Sequence, residues 1–137
     1  MARVETMNTL HTSGSRKTAV ARATLKPGAG TVRVNSQLLN QYRPIMYRDR
    51  IQESLLLAGE VAKKVDVSVI THGGGIASQA EAARLAIARA LALFDKTLHP
   101  IYLAYDRQLL VADSRYKETH KPNCHGKARA KRQKSYR

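Results

Sequence analysis

The sequence predicts one domain of mixed α and β structure, residues 1–113, followed by an extended basic arm, residues 114–137. Three observations support this division. Apolar and polar residues alternate over residues 65–72, as in a strand with one buried face. Apolar residues recur at helical spacing over residues 78–94, and the last 24 residues hold nine basic side chains against one acid. A chain of 137 residues, 43% of them hydrophobic, suffices for one core.

The first third of the chain predicts three short strands. Residues 3–12 and 17–25 contain β-branched and apolar side chains, and residues 31–35 form a third strand after a turn at residues 27–30. Strands that follow one another so closely favour a three-stranded meander. Residues 36–47 are largely polar and are expected to form a loop.

A first helix is predicted from residue 51, and Gly59 marks a position where it could end early. Its apolar residues share one helical face, and they are Ile51, Leu55, Ala58 and Ala62. The following strand, residues 65–72, has the clearest alternation in the chain, with Val65, Val67, Val69 and Thr71 on one side.

The longest helix is predicted over residues 78–94, after three glycines at positions 73–75. Ser78 and Glu81 have the spacing of a capping box, in which two side chains satisfy free N–H groups at a helix start. The buried stripe of this helix is expected to consist of Ala80, Ala83, Ile87, Leu91 and Phe94. A weaker third helix is predicted over residues 98–105.

The charge balance predicts a polyanionic partner. Lysine and arginine outnumber aspartate and glutamate by 24 to 10, which gives a formal charge of +14. Self-repulsion at this charge favours binding to nucleic acid or to an acidic membrane surface. The arm has no aliphatic side chain larger than alanine, so it can neither anchor in lipid nor form a core. We therefore expect an extended arm that becomes ordered only on a nucleic-acid partner.

Other features of the composition restrict the class of protein. No segment reads as a transmembrane helix, and the N-terminus lacks an apolar run of the signal-peptide type, so we expect a cytosolic protein without a membrane partner. Cys124 is the only cysteine, which excludes an internal disulfide framework.

Two groups of residues could indicate site chemistry. The glycines at positions 73–75 lie between a strand and a helix, where phosphate-binding loops occur, but the spacing of a Walker A motif is absent. A turn that requires glycine is the favoured explanation; an RNA phosphate site and a nucleotide site stay open. His120, Cys124 and His125 include zinc-ligand types, but no fourth ligand is evident. We expect no metal, no cofactor and no catalytic residues, because no nucleophile and base share a recognisable spacing.

Basic residues form two groups. Residues 127–137 contain no acid, and within them arginine and lysine suit phosphate oxygens while Tyr136 can stack on a base or ribose. A second group lies on or beside the second strand and comprises Arg16, Lys17, Arg22 and Lys26. Strand alternation separates Arg22 from Ala21 and Ala23, so we expect the arginine face to look outward toward RNA.

Motifs spread over nearly the whole chain occur in an order known from one family. They include Ser15-Arg16-Lys17-Thr18-Ala19-Val20-Ala21-Arg22-Ala23, Gly73-Gly74-Gly75, Ile87-Ala88-Arg89-Ala90-Leu91, Asp113-Ser114-Arg115 and Gln133-Lys134-Ser135-Tyr136-Arg137. In these motifs the chain resembles the family of the ninth protein of the small ribosomal subunit. The Lys-Ser-Tyr-Arg ending resembles the archaeal and eukaryotic branch of that family.

The resemblance implies an α+β fold, a two-layer α/β sandwich of three strands, a helix, a strand and a helix. The family has a left-handed βαβ crossover, as in the second domain of the fifth protein of the same subunit. The implied function is that of a structural constituent of the subunit head in the cytoplasm, bound to ribosomal RNA and neighbouring head proteins. The implied RNA-binding residues are Arg16, Lys17, Arg22, Lys26, Arg89, Lys127, Arg129, Lys131 and Arg132. The last four residues would contact the anticodon stem-loop of P-site transfer RNA: Lys134, Ser135, Tyr136 and Arg137.

Two other classes of protein fit the sequence less well than a ribosomal protein does. A small-molecule phosphotransferase could share a related two-layer fold and a glycine-rich loop, but a second lobe and a catalytic carboxylate or lysine in a pocket are missing. A DNA-binding protein is disfavoured because no recognition-helix pattern occurs. Nucleotide binding measured by calorimetry separates the first alternative from a ribosomal role.

Overall fold

One mixed sheet and a layer of helices make up the structure, a computed structural model that describes residues 9–126, 128–129 and 135–136. The strands are β1 (Leu10–Arg16), β2 (Ala19–Pro27), β3 (Val32–Val34), β4 (Gln37–Leu38) and β5 (Val65–His72). The α-helices are α1 (Ile45–Ala58), α2 (Ile76–Phe94) and α3 (Leu98–Tyr105), and the short 3-10 helices are Leu39–Gln41, Ala62–Lys64 and Arg107–Leu109. The predicted two-layer α+β fold is confirmed.

The core lies between the sheet and α2. Strand alternation buries one face of β2 and of β5, and α2 packs against β1, β2 and β5 while α1 packs against α2. Alanines on α2 let the helix approach the sheet closely, and Ala82, Ala83 and Ala86 are fully buried. Within the described ranges, no helix has the length and apolarity that a membrane span requires. No described element covers the opposite face of the sheet.

The strand order is β1-β2-β5-β3-β4, so the predicted meander is wrong. β5 lies between β2 and β3, antiparallel to the first and parallel to the second. The segment after β2 passes across the start of β5, where the Asp66 carboxylate accepts N–H bonds from Ala29 at 3.0 Å and Thr31 at 2.7 Å. The connection from β3 through α1 to β5 is therefore a βαβ crossover.

The stretch predicted as a loop, residues 36–47, contains regular structure. Asn35 and Ser36 both have positive φ angles, of 48° and 69°, and they turn β3 directly into β4. Two such residues are typical of the tight turn that matches strand twist. α1 starts at Ile45, six residues before the predicted start, with Pro44 at its N-cap. Proline is tolerated there because the first N–H groups of a helix have no partner within it.

The ends of α2 also differ from the prediction. Gly75 is the N-cap, and no side chain caps the helix, so the predicted capping box of Ser78 and Glu81 does not form. Glu81 instead pairs with Arg50 at 3.1 Å. Four residues of the predicted stripe are buried, but Phe94 is exposed because the helix ends there. α3 has the predicted bounds.

A buried ion-pair cluster joins α2 to the other helices. The Arg84 side chain is only 4% exposed, and its guanidinium lies 2.8 Å from Glu53 of α1 and 3.1 Å from Asp106. Glu81 lies farther away, at 3.8 Å. The Asp106 carboxylate also accepts the N–H of Gln108 and so caps the 3-10 helix Arg107–Leu109. Arg84 therefore holds in place the segment around Asp106, where the chain leaves the helical layer.

Candidate nucleic-acid interface

The uncovered face of the sheet is the strongest candidate surface. We call it the outer sheet face and define it by Val20, Arg22, Thr24, Lys26, Arg33, Asp66, Ser68, Ile70 and His72. In β2 the residues Ala19, Ala21, Ala23 and Leu25 point into the core, so Arg22 and Lys26 point to solvent. The predicted outward orientation of Arg22 is confirmed.

Arg33 belongs to the same face, although it was not among the residues predicted to bind RNA. It is exposed between the buried Val32 and Val34. Its Cα partner in β5 is Ser68, which in turn pairs with Thr24 of β2. This neighbourhood depends on β5 lying between β2 and β3. The alternation over residues 32–34 could have shown that Arg33 points outward, but only the strand order places it on the same sheet face as Lys26, two strands away.

Uncharged groups surround these cations. Thr24 and Ser68 bring hydroxyl groups, and the side chain of Ile70 is 59% exposed opposite Arg22. His72 is exposed at the end of β5, opposite Val20. Cationic, hydroxyl and apolar groups together match the phosphate, ribose and base surfaces of a ribonucleotide chain.

Negative charge is scarce on this face. In the described part of the chain, Asp66 is its one carboxylate, and it is occupied by the loop that follows β2. Backbone N–H bonds, the strongest from Thr31, hold the pKa of Asp66 below its usual value. Among the described residues, no carboxylate lies within ion-pair distance of Arg22, Lys26 or Arg33. These three cations are thus available to an external anion.

Two of the three glycines before α2, Gly73 and Gly74, have a packing role. Gly73 has a φ of 74°, and a Cβ there would lie 2.5 Å from the Thr18 carbonyl oxygen. A Cβ on Gly74 would meet Ala19 at 3.0 Å. The loop therefore folds back onto β2, and Gln79 holds it by donating to the Gly73 carbonyl at 3.0 Å. Close packing explains these glycines without a ligand, and nothing in the described residues favours the phosphotransferase alternative.

Lys17 lies beside a shallow cleft at the start of α2. The cleft has a volume of about 450 Å³ and is lined by Arg16, Lys17, Met46, Tyr47, Arg50, Ala77, Ser78, Glu81 and Gln108. Lys17 is exposed in the turn between β1 and β2, with a φ of 54°. Three cations thus face one cleft, and Arg50 is partly neutralised by Glu81.

Arg16 and Arg89, two of the predicted RNA-binding residues, have partners within the chain. Arg16 lies 2.8 Å from the Asp113 carboxylate. Arg89 donates to the carbonyl oxygens of Leu110 at 2.9 Å and Ser13 at 2.8 Å. A phosphate contact by either would use the remaining N–H donors, since a guanidinium has five.

The described part of the arm is exposed and has no helix or strand from residue 112 to 126. Arg129 pairs with Glu118 at 2.9 Å. Ser135 and Tyr136 are exposed, the latter by 89%. The other predicted arm contacts lie outside the described residues, and they are Lys127, Lys131, Arg132, Lys134 and Arg137. His120, Cys124 and His125 are described, and no metal-binding cluster of three His, Cys, Asp or Glu occurs within those ranges.

Comparisons with known proteins agree with these features. The family described as "Ribosomal protein S9/S16" matches residues 14–137. Small ribosomal subunit protein uS9 from three strains of Methanococcus maripaludis is 45% identical over 134 residues, which covers 96% of this chain and 100% of each relative. The match includes the strands of the outer sheet face, both long helices and the arm. The chain therefore belongs to the ribosomal protein S9/S16 family, as a small-subunit protein of the uS9 type.

Proposed function

We propose that this chain binds small-subunit ribosomal RNA through the outer sheet face and acts as a structural constituent of the subunit head in the cytoplasm. One observation carries the proposal: Arg22, Lys26 and Arg33 share a solvent-facing surface, and among the described residues no carboxylate lies within ion-pair distance of them, although Asp66 stands opposite Lys26 in the strand register. Phosphate oxygens satisfy such donors, and each neutralised phosphate releases counterions that favour binding. Lys17 adds a further cation beside the turn between β1 and β2, and the arm residues Lys127, Arg129, Lys131 and Arg132 are proposed as further contacts with the same RNA.

The second element of the proposal concerns the arm. Residues 1–113 form the RNA-bound domain, and residues 114–137 form the arm, whose last residues contact the anticodon stem-loop of P-site transfer RNA. Lys134 and Arg137 supply positive charge to phosphates, and Tyr136 offers a ring for stacking. The exposure of Tyr136 supports this assignment.

Neighbouring head proteins are assigned to the helical layer. Exposed apolar side chains of α1 and α3, among them Met46, Leu56 and Tyr105, line a shallow cavity of about 470 Å³. The cavity is also lined by Asp49, Arg50 and Glu53, so its acids outnumber its one cation and the surface is a poor match for phosphates. A protein surface suits it better than RNA does.

Removing the three cations of the outer sheet face should weaken the salt dependence of RNA binding. In the variant R22A/K26A/R33A, we expect the slope of log K against log salt to fall by roughly 2 to 3, since each phosphate contact contributes about 0.7 to 0.9. The measurement is a filter-binding titration of the full chain with small-subunit RNA at several salt concentrations.

A variant with the same loss of charge serves as control. K64A/K96A/R107A removes three exposed cations that lie outside the outer sheet face. We expect its slope to stay close to that of the wild type. Equal decreases in the two variants would mean that net charge alone drives binding, which contradicts the assigned surface.

Deletion of residues 134–137 should impair retention of P-site transfer RNA. The loss of one charge-assisted bond, about 1.5 to 3 kcal/mol, predicts dissociation that is roughly tenfold faster or more. The measurement is the dissociation rate of transfer RNA from reconstituted small subunits. K117A/K121A, which removes two exposed cations from the base of the arm, is the control and should change the rate less. Unchanged retention after the deletion would refute the role of the arm.

A further inference from the structure

The chain segment after the 3-10 helix Arg107–Leu109 contacts the C-terminal half of the edge strand β1. We call residues 110–116 the arm root. It contacts other elements at three positions spaced three residues apart, and they are Leu110, Asp113 and Tyr116. Such regular contact differs from the expectation for a flexible basic tail.

The first contact is made through Arg89 of α2. Its Nε donates to the Leu110 carbonyl oxygen at 2.9 Å and its Nη1 to the Ser13 carbonyl oxygen at 2.8 Å. One planar guanidinium therefore joins the beginning of the arm root to β1. The fixed geometry of its donors restricts both segments at once.

The second contact is centred on Asp113, whose side chain is only 7% exposed. Its carboxylate lies 2.8 Å from Arg16 at the end of β1 and 2.6 Å from Arg115 in the arm root. The backbone N–H of Arg115 also donates to it, at 2.9 Å. Side-chain and backbone bonds from Arg115, assisted by Arg16, keep the pKa of Asp113 well below its usual range, so the carboxylate stays charged at neutral pH.

The third contact joins the hydroxyl groups of Tyr116 and Ser15 at 3.2 Å. Both residues of this pair belong to segments already connected by Asp113. Three contacts along seven residues fix the position and the direction of the chain where it leaves the domain.

That direction matters because the rest of the arm is long. Residues 117–137 could extend to roughly 70 Å at about 3.3 Å per residue, whereas a freely jointed chain of this length spans on average only about 25 Å. An arm with a fixed starting direction samples a smaller volume. Its tip therefore has a higher effective concentration at a target in that direction.

We propose that the arm root is a docked segment which aims the basic arm, and that Asp113 is its central positioning residue. The effect on transfer RNA rests on the proposed function of the arm. The docking of the arm root does not depend on that function. It places the end of the ordered domain near Tyr116 rather than at residue 113.

Two measurements on reconstituted small subunits test the proposal. The first is a distance distribution between spin labels at H11C and T119C in a C124S background, which reports the direction of the arm without transfer RNA. D113N should broaden the distribution. D49N removes the same charge from an exposed carboxylate of α1, away from the arm, and should leave it narrow. An unchanged distribution in D113N would overturn the proposal, and Y116F, which loses only one hydroxyl bond, replaces D113N if that variant does not assemble.

The second measurement is the dissociation rate of P-site transfer RNA in a double-mutant cycle. D113N should speed dissociation about threefold to tenfold in the full-length chain, through a lower effective concentration, and should have no effect once residues 134–137 are deleted. An equal effect in both backgrounds would overturn the positioning role. If the deletion alone has no effect, the proposed contact with transfer RNA fails, and the label distances still decide the docking.

Discussion

Replacement of Gly14 by alanine is expected to destabilise the protein by about 3 kcal/mol, near the upper end of the cost of overpacking. A Cβ at this position would lie 2.4 Å from the carbonyl oxygen of Ala82 and 2.8 Å from the backbone nitrogen of Ala86. Backbone atoms of a helix cannot move aside like a flexible side chain, so β1 and α2 must separate. The separation would also strain the bond from the Thr12 hydroxyl to the Ala86 carbonyl oxygen, which is 2.8 Å long.

Denaturant unfolding of the purified full chain measures this effect, with G75A as the control. Gly75 has a φ of −105°, and a Cβ there would meet open space. The loss of a favourable N-cap residue destabilises the control, and the lower entropy of its unfolded chain stabilises it. These effects should nearly cancel, so its free energy of unfolding should differ from that of the wild type by less than about 0.5 kcal/mol. Equal stability of G14A and the wild type would show that β1 does not lie this close to α2.

The second large effect is expected at Arg84. In R84M the stem keeps its volume, but the carboxylates of Glu53, Glu81 and Asp106 lose their shared cation. Removing one partner of a fully buried pair costs about 3 to 5 kcal/mol; because these carboxylates are partly exposed, we expect about 2 to 3 kcal/mol. Since Asp106 caps the 3-10 helix before the arm root, the chain near Leu110 should become less protected as well.

Unfolding free energy and backbone hydrogen exchange test this prediction together. R50M is the matched control, because Arg50 also pairs with Glu81 but is 54% exposed. Surface pairs contribute at most about 1 kcal/mol, so the control should be nearly as stable as the wild type. If R84M lowers the free energy of unfolding no more than R50M does, the stabilising role of the buried cluster is contradicted.

Local sequence patterns were sufficient for the elements that carry a strong period. The alternation of Val65, Val67 and Val69 predicted β5 with its observed bounds, and the helical spacing from Ala80 to Leu91 predicted α2. Alternation in β2 likewise predicted that Arg22 faces outward. Each of these features depends on the side chains of a single element.

Local sequence patterns did not predict features that depend on contacts between several elements. A strand's partner is set by tertiary contacts, so the sequence could not show that Asp66 draws the loop after β2 across β5. The place of Arg33 on the same sheet face as Lys26 depends on the resulting strand order. Ser78 and Glu81 fit a capping box by spacing, but the helix had already begun at Ile76.

The candidate site was predicted only in part for the same reason. Composition predicted a nucleic-acid partner and a basic arm, and resemblance indicated the family that the comparisons confirmed. The ion pair between Arg16 and Asp113 joins residues almost one hundred positions apart, and no local pattern indicates it. A role for Arg16 in holding the arm root was therefore not predictable from its place in a basic strand.

Hydroxyl-radical probing of ribosomal RNA in reconstituted small subunits tests most directly whether the outer sheet face binds RNA. A radical source is attached at S68C on the outer sheet face or at L56C on the exposed side of α1, each in a C124S background. We expect strong cleavage of small-subunit RNA from position 68 and weak or no cleavage from position 56. Cleavage from position 56 that equals or exceeds that from position 68 would contradict the assignment of RNA binding to the outer sheet face.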